Sequence, residues 1–122
     1  MAYFETNDGW QEDALVGGEY AAIEVHNVSL SGGASVQRGE LICAANDVWS
    51  PVASADDASK PLAIACSDFT ADSIQAVTQA YKSGVFNREK IICGAESASL
   101  SVDTFEQSLR TQNIRLTSLK EN

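Results

Sequence analysis

The stretch Ala80-Tyr81-Lys82-Ser83-Gly84-Val85-Phe86-Asn87-Arg88-Glu89-Lys90-Ile91-Ile92 decides how the chain is read. It begins at the end of a β-rich run, Ser73 to Tyr81. Lys82-Ser83-Gly84 reads as a turn, because glycine takes positive φ at no steric cost. Val85 and Phe86 return apolar bulk at once, and Asn87 to Lys90 forms a short polar loop with two cations and one acid. Ile91-Ile92-Cys93 is apolar again and breaks at Gly94. On the residues alone this is a β-turn joining two core elements.

Downstream lies the one convincing helix. Ser101 is its expected N-cap, and Val102, Phe105 and Leu109 form a single apolar stripe, with Glu106 on the opposite side. Asp103 and Glu106 near its start and Arg110 near its end suit the macrodipole. Asn113 is placed to stop it in a left-handed conformation. Ile114 and Leu116 then alternate with Arg115 and Thr117 as a final strand.

Upstream the chain reads as short strands. Glu19 to Leu30 interleaves Tyr20, Ile23, Val25, Val28 and Leu30 with polar residues, and Ser31-Gly32-Gly33 is a turn. Ser35 to Gly39 is a polar connector before the strand Leu41 to Ala45. Asn46-Asp47 turns the chain into Val48-Trp49, and Pro51 caps that strand or sits at an edge. Ala53 to Lys60 is a loop of small and acidic residues, Leu62 to Cys66 a strand, and Asp68 to Asp72 a loop. Strands about every ten residues plus one helix indicate a mainly β (α+β) domain.

Residues 1 to 18 read as an arm that ends at the Gly17-Gly18 joint, leaving 19 to 122 as the domain. The arm sets Tyr3, Phe4 and Trp10 among acids and amides without a clear period. Disordered tails are normally poor in such aromatics, so the segment is expected to order against a partner.

The chain has 122 residues, enough for one domain that buries roughly 65% of its unfolded surface. Its net charge of −9 repels phosphate backbones, so nucleic acid is not an expected partner. Residues 1 to 37 hold Glu5, Asp8, Glu12, Asp13, Glu19 and Glu24 and no Lys or Arg, whereas residues 82 to 120 are mildly basic. An acidic start and a basic end are complementary across a subunit boundary. No run approaches a membrane span and no apolar leader is read at the start, so no membrane partner is expected.

With those elements in place, Tyr81-Lys82-Ser83-Gly84-Val85-Phe86, its polar loop, the helix and the last strand resemble the lambda-type phage head decoration protein family. There an aromatic-Lys-Ser-Gly-x-Phe run occupies the same place, ahead of a C-terminal helix and last strand. The resemblance is sharpest over Tyr81 to Leu116, looser over Leu41 to Phe69, and weak before residue 38. It implies a small compact decoration-protein fold, β-tulip-like, with one short C-terminal helix and an extended N-terminal arm. It implies a capsid cement protein, made in the host cytoplasm, that stands as homotrimers on the outer surface of the expanded virion shell. There it sits at three-fold and quasi-three-fold positions and stabilises the shell against internal DNA pressure. The expected partners are the major capsid protein and other copies of the chain. Tyr3, Phe4 and Trp10 are the expected capsid-binding residues, and Trp49, Lys82, Arg88 and Lys90 the expected subunit-interface residues. The arm is more acidic and aromatic than the family's small-residue, Pro-rich arms, and Cys43, Cys66 and Cys93 are not a family feature.

No other constellation rises above its structural reading. Cys43, Cys66, Cys93 and His26 lack the close ligand pairs of structural zinc sites, so no metal or cofactor is expected. The cysteines are expected as reduced, buried small hydrophobes. His26 with Cys43 or Cys66 and Asp47 or Asp68 would give a small cysteine/histidine hydrolase. His26 sits in a strand pattern without a nucleophile elbow, so no catalytic residue is assigned. The two Gly-Gly pairs lack the ending of a phosphate loop, and Asp56-Asp57 and Asp68 with Asp72 lack calcium-loop spacing. The expectation is a non-enzymatic assembly protein, with the hydrolase and a receptor-binding or fibre-type β module as alternatives.

Overall fold

In the computed structural model of the chain, residues 15–16, 23–93 and 101–117 are described. The strands are β1 (Glu24–Leu30), β2 (Ser35–Val36), β3 (Leu41–Ala45), β4 (Val48–Pro51), β5 (Leu62–Ala65), β6 (Phe69–Thr70), β7 (Ala76–Asn87) and β8 (Ile114–Thr117). Among the described residues one α-helix, α1 (Val102–Thr111), precedes β8. The expected mainly β domain with a helix near its C-terminal end is therefore the fold.

Strands β1, β4, β3, β5 and β7 are hydrogen-bonded neighbours in that order, and β7 pairs back onto β1, so the five form a closed ring. All the contacts around the ring are antiparallel except β1–β4, which is parallel and is registered at Leu30 and Trp49 alone. Strand β8 lies outside the ring, parallel to the last residues of β7. The β2–β6 pair forms a separate two-stranded sheet.

Two cores result, one on each side of the β3–β5 pair. Inside the ring Val28, Leu30, Ile42, Ala44, Trp49, Ala63, Ala65 and Ala80 pack together, with Val36 and Ala71 from the small sheet region. On the other side Leu41, Cys43, Leu62 and Ile64 meet Leu15, Val52, Phe86, Phe105, Leu109 and Ile114. Side chains alternate faces along a strand, and here both faces are buried. That is why Leu41 to Ala44 and Leu62 to Ala65 are unbroken apolar runs instead of alternating ones.

The helix follows its sequence pattern. Ser101 Oγ accepts from the Asp103 N–H at 3.2 Å. Phe105 and Leu109 are fully buried, with Val102 packed at the margin of the same core. Asn113 takes a φ of 71° just past the helix, and the chain enters β8 there. The Asn46-Asp47 turn has consecutive positive φ values of 54° and 67°, the geometry whose twist suits a two-residue hairpin.

Lys82-Ser83-Gly84 is not a turn. Strand β7 runs through it without reversal for 12 residues. The glycine does adopt a positive φ, 141°, but uses it inside a strand. Two changes coincide there. A register shift opposite Glu24 and Val25 leaves Lys82 as an extra residue on β7, a β-bulge. At the next step β7 changes partners: Ser83 is registered with Glu24 of β1, and Gly84 with Ile114 of β8. A Cβ on Gly84 would stand 3.0 Å from Ile23 Cγ1 and from the Phe86 ring, so a side chain there would be crowded as well as strained by the backbone.

Other expectations are adjusted. The polar connector and the Asp68 to Asp72 loop each hold a short strand, β2 and β6, which pair with one another. Strand β1 begins at Glu24, residues 19–22 of the expected run lying outside the described residues, and β7 begins at Ala76 instead of Ser73. Leu15 and Val16 fall within the expected arm yet belong to the packed domain: Leu15 is fully buried, its carbonyl accepts from Asn87 N–H at 2.8 Å, and Val16 bridges to Phe86.

Gly84→Val is expected to lower unfolding free energy by about 2–4 kcal/mol, from combined backbone strain and overpacking. Denaturant melts check it; a midpoint equal to wild type would contradict the geometry at Gly84. Phe105→Ala, which empties the middle of the second core, is expected to cost about 3–5 kcal/mol in the same assay.

Candidate functional site

Each residue of the Tyr81 to Phe86 string has a specific place. Tyr81 receives a hydrogen bond on its hydroxyl from the Arg38 guanidinium at 3.0 Å and packs its ring 5.1 Å from that of Phe86. Arg38 also donates to the Cys66 carbonyl at 2.7 Å, which ties the chain after β5 to β7. Lys82 places its ammonium 4.5 Å from the centre of the Trp49 ring, a cation–π contact. Ser83 is buried, and Phe86 is completely so, in the second core.

Of the expected subunit-interface residues, Trp49 is only 7% exposed and packs inside the ring, so its indole is a core group and not a surface anchor. Arg88 is likewise committed within the chain. Its guanidinium meets the Glu106 carboxylate through two parallel hydrogen bonds of 2.7 and 2.6 Å and reaches Asp103 at 3.0 Å. Glu106 also takes Arg110 at 3.3 Å. Glu106 was expected to face solvent; instead it clamps α1 to the end of β7. The Arg88 hydrogen bonds hold the Glu106 carboxyl below the usual carboxylate range, against partial desolvation. Lys82 and Lys90 do lie toward the surface, and neither makes an ion pair among the described residues. Tyr3, Phe4 and Trp10 lie outside the described residues.

Around the partner change on β7 lies a cleft of about 540 Å3, lined by Glu24 and His26 of β1, Lys82 and Gly84 of β7, and Asn113 and Arg115 at the start of β8. Arg115 is exposed and takes part in no ion pair among the described residues. His26 is also exposed, 3.3 Å from Glu24. Sequence reading missed this site because its parts come from three strands whose register no local pattern reveals. The one available signal was Arg115 itself, a cation at an outward position of an alternating strand.

The thiols are poorly suited to nucleophilic attack. Burial pushes Cys66 up to about 11, with Arg38 and Tyr81 opposing it. Burial together with the neighbouring Glu40 carboxylate raises Cys93 to about 11. Burial and then Asp57 raise Cys43, which lies in the second core. A protonated thiol is a weak nucleophile. His26 interacts with Glu24 on β1. Among the described residues no group of three or more His, Cys, Asp or Glu could hold a metal ion.

Asp57, expected in a surface acidic loop, is buried at a 3₁₀ turn, Ala55–Ser59. Its burial favours protonation, but the Ala53 N–H at 2.7 Å, the Lys60 ammonium at 2.7 Å and the Ser54 N–H at 3.2 Å outweigh that and hold it low. Glu40 shows the opposite balance. Burial raises it, and the Gln37 N–H at 3.0 Å only partly compensates.

No protein-family model matches the chain, and no curated protein matches it.

The pH dependence of stability has a definite sign. Asp57 and Glu106 are depressed, so their contribution is present above the unfolded carboxylate range and is lost as pH falls below about 4. Glu40 is raised, so its contribution is full at acid pH and is lost as pH rises through its folded value. Thermal melts from acid to neutral pH should therefore show that Asp57→Asn flattens the acid-side loss. Glu40→Gln, which keeps an oxygen for the Gln37 N–H, should gain stability near neutral pH relative to wild type. The reverse ordering would contradict these assignments.

Proposed function

We propose that this chain is a phage head decoration protein of the lambda type. It binds the outer surface of the expanded capsid as trimers at three-fold and quasi-three-fold positions and braces the shell against internal DNA pressure. The observation that carries the reading is the Tyr81-Lys82-Ser83-Gly84-x-Phe86 string with its surroundings. The string lies on the strand shared by both cores, its glycine has positive φ, and α1 and β8 follow it as the resemblance expects. The raised thiols and the pairing of His26 with Glu24 favour this reading over a cysteine hydrolase.

In this reading the aromatic residues of the segment 1 to 14 attach the protein to the shell. Tyr3, Phe4 and Trp10 anchor in grooves between capsid subunits, and backbone pairing with shell strand edges supplies affinity while alternate side chains set register. Leu15 and Val16 belong to the domain, so the detachable part ends before Leu15. Deleting residues 2 to 13 is expected to leave the melting temperature within a few degrees of wild type while abolishing co-sedimentation with expanded capsids lacking the protein. The triple replacement of Tyr3, Phe4 and Trp10 by Ala should act in the same direction. Full decoration by the truncated protein would move attachment onto the loops of the β domain, and failure of the intact chain to bind any expanded shell would remove the reading.

A further inference from the structure

The cleft at the partner change on β7 is a basic spot on a strongly acidic protein. Lys82 and Arg115 flank it, and neither is neutralised by an ion pair among the described residues. The Lys82 ammonium rests with one side on the Trp49 ring, which fixes its position and leaves its other donors for a second group. Arg115 projects from the outward position of β8, registered with Val85. The nearby acid, Glu24, is engaged with His26.

Residues 1 to 14 are the complement: Glu5, Asp8, Glu12 and Asp13, without a single Lys or Arg. We propose that this acidic segment of one copy docks in the Lys82–Arg115 cleft of a second copy, so that neighbouring subunits are joined segment into cleft. The proposal deepens the decoration reading, which supplies the context of three adjacent copies.

Charge supports a contact between copies. Each chain carries −9, so two copies repel unless unlike charges meet locally. Direction supports a neighbour's cleft over the chain's own. Val16 bridges antiparallel to Phe86, and the Leu15 carbonyl takes the Asn87 N–H. From Val16 to Leu15 the chain runs along β7 away from Lys82 and Gly84 and toward Arg88. Length permits the reach. Fourteen extended residues span up to roughly 46–50 Å, whereas a domain of this size has a radius of gyration near ~14 Å. Segment and cleft are different patches, so the contact is head-to-tail, and a rotation of one third of a turn closes it into a ring of three. Each joint is weak alone, and three linked joints reinforce one another on a lattice.

The test uses full-length protein in solution, with no capsid present. The first variant, Arg115→Glu, disables the cleft. The second, Glu5→Gln with Asp8→Asn, Glu12→Gln and Asp13→Asn, disables the segment. Arg115 is exposed, and matching thermal melts establish that both variants are folded. Sedimentation equilibrium at low ionic strength should show wild type self-associating, with association lost in roughly 0.5 M salt, where exposed charges are screened. Each variant alone should associate at least about tenfold more weakly. Their equimolar mixture should form a dimer and nothing larger, because only the segment of the first and the cleft of the second can meet. A mixture that associates no more strongly than either variant alone would overturn the proposal. So would variants that associate like wild type, or a wild type that is monomeric throughout. Capsid binding is read separately, so loss of either result leaves the other standing.

Discussion

Everything in this fold passes through the backbone at Ser83 and Gly84. Strand β7 belongs to the closed ring through its first residues and to the second core through its last. For one strand to do both, it must shift register against β1, take on β8, and bring Phe86 into the second core. The bulge at Lys82 accomplishes the shift, and the positive φ of Gly84 redirects the chain. A side chain at that residue would be strained by the backbone and crowded against Ile23 and Phe86. The cleft is a by-product of the same constraint. Where β1 and β8 both begin against β7, neither covers the ground between them, and the bulged Lys82 and outward Arg115 are left at its rim.

The second core is then fastened from outside by polar groups. Arg88 follows β7 directly and grips Glu106 on α1 in a two-pronged pair. Gln112, at the end of the helix, accepts from the Leu62 N–H at 2.8 Å and donates to the Lys60 carbonyl at 3.2 Å. These contacts tie the helix to β7 on one side and to the entry of β5 on the other. Surface ion pairs contribute little singly, but here they act on a helix whose Phe105 and Leu109 are already buried, so they fix its orientation more than its existence.

The legible parts of the fold were those set by local chemistry. The helix declared itself through Ser101, the Phe105–Leu109 stripe and Asn113, all within a few turns of chain. The runs Leu41 to Ala44 and Leu62 to Ala65 were readable as buried strands. The misreading at Lys82-Ser83-Gly84 has a physical origin: glycine marks positive φ, and positive φ is far commoner at reversals than within strands. Only the partner strands, Glu24 to Leu30 and Ile114 to Thr117, reveal that the chain continues straight. Asp57 and Glu106 were read as solvent-facing because charge in a short loop or on a helix usually is. Asp57 is instead buried against Ala53 and Lys60, and Glu106 is half-buried against Arg88, partners that the tertiary fold brings there. Trp49 was expected at a subunit interface, and its place beside Leu30 on neighbouring strands of the ring buries it instead. Beyond the outward cation Arg115 the cleft left no trace in the sequence, because it exists only between strands far apart in the chain.

The division into two cores also orders events in time. Among the described residues, the buried side chains of the ring's interior cluster lie between Val28 and Ala80, whereas the second cluster draws on Leu15 at one extreme and Ile114 at the other. During synthesis the ring can therefore fill its interior before α1 and β8 exist. Until they arrive, Leu41, Cys43, Leu62 and Ile64 present an uncovered apolar face. Such a half-covered sheet is the kind of species that sticks to others of its own sort. The last few dozen residues act as a lid that the chain must wait for, and a ribosome that stalls before Ile114 would release a barrel with one side undressed.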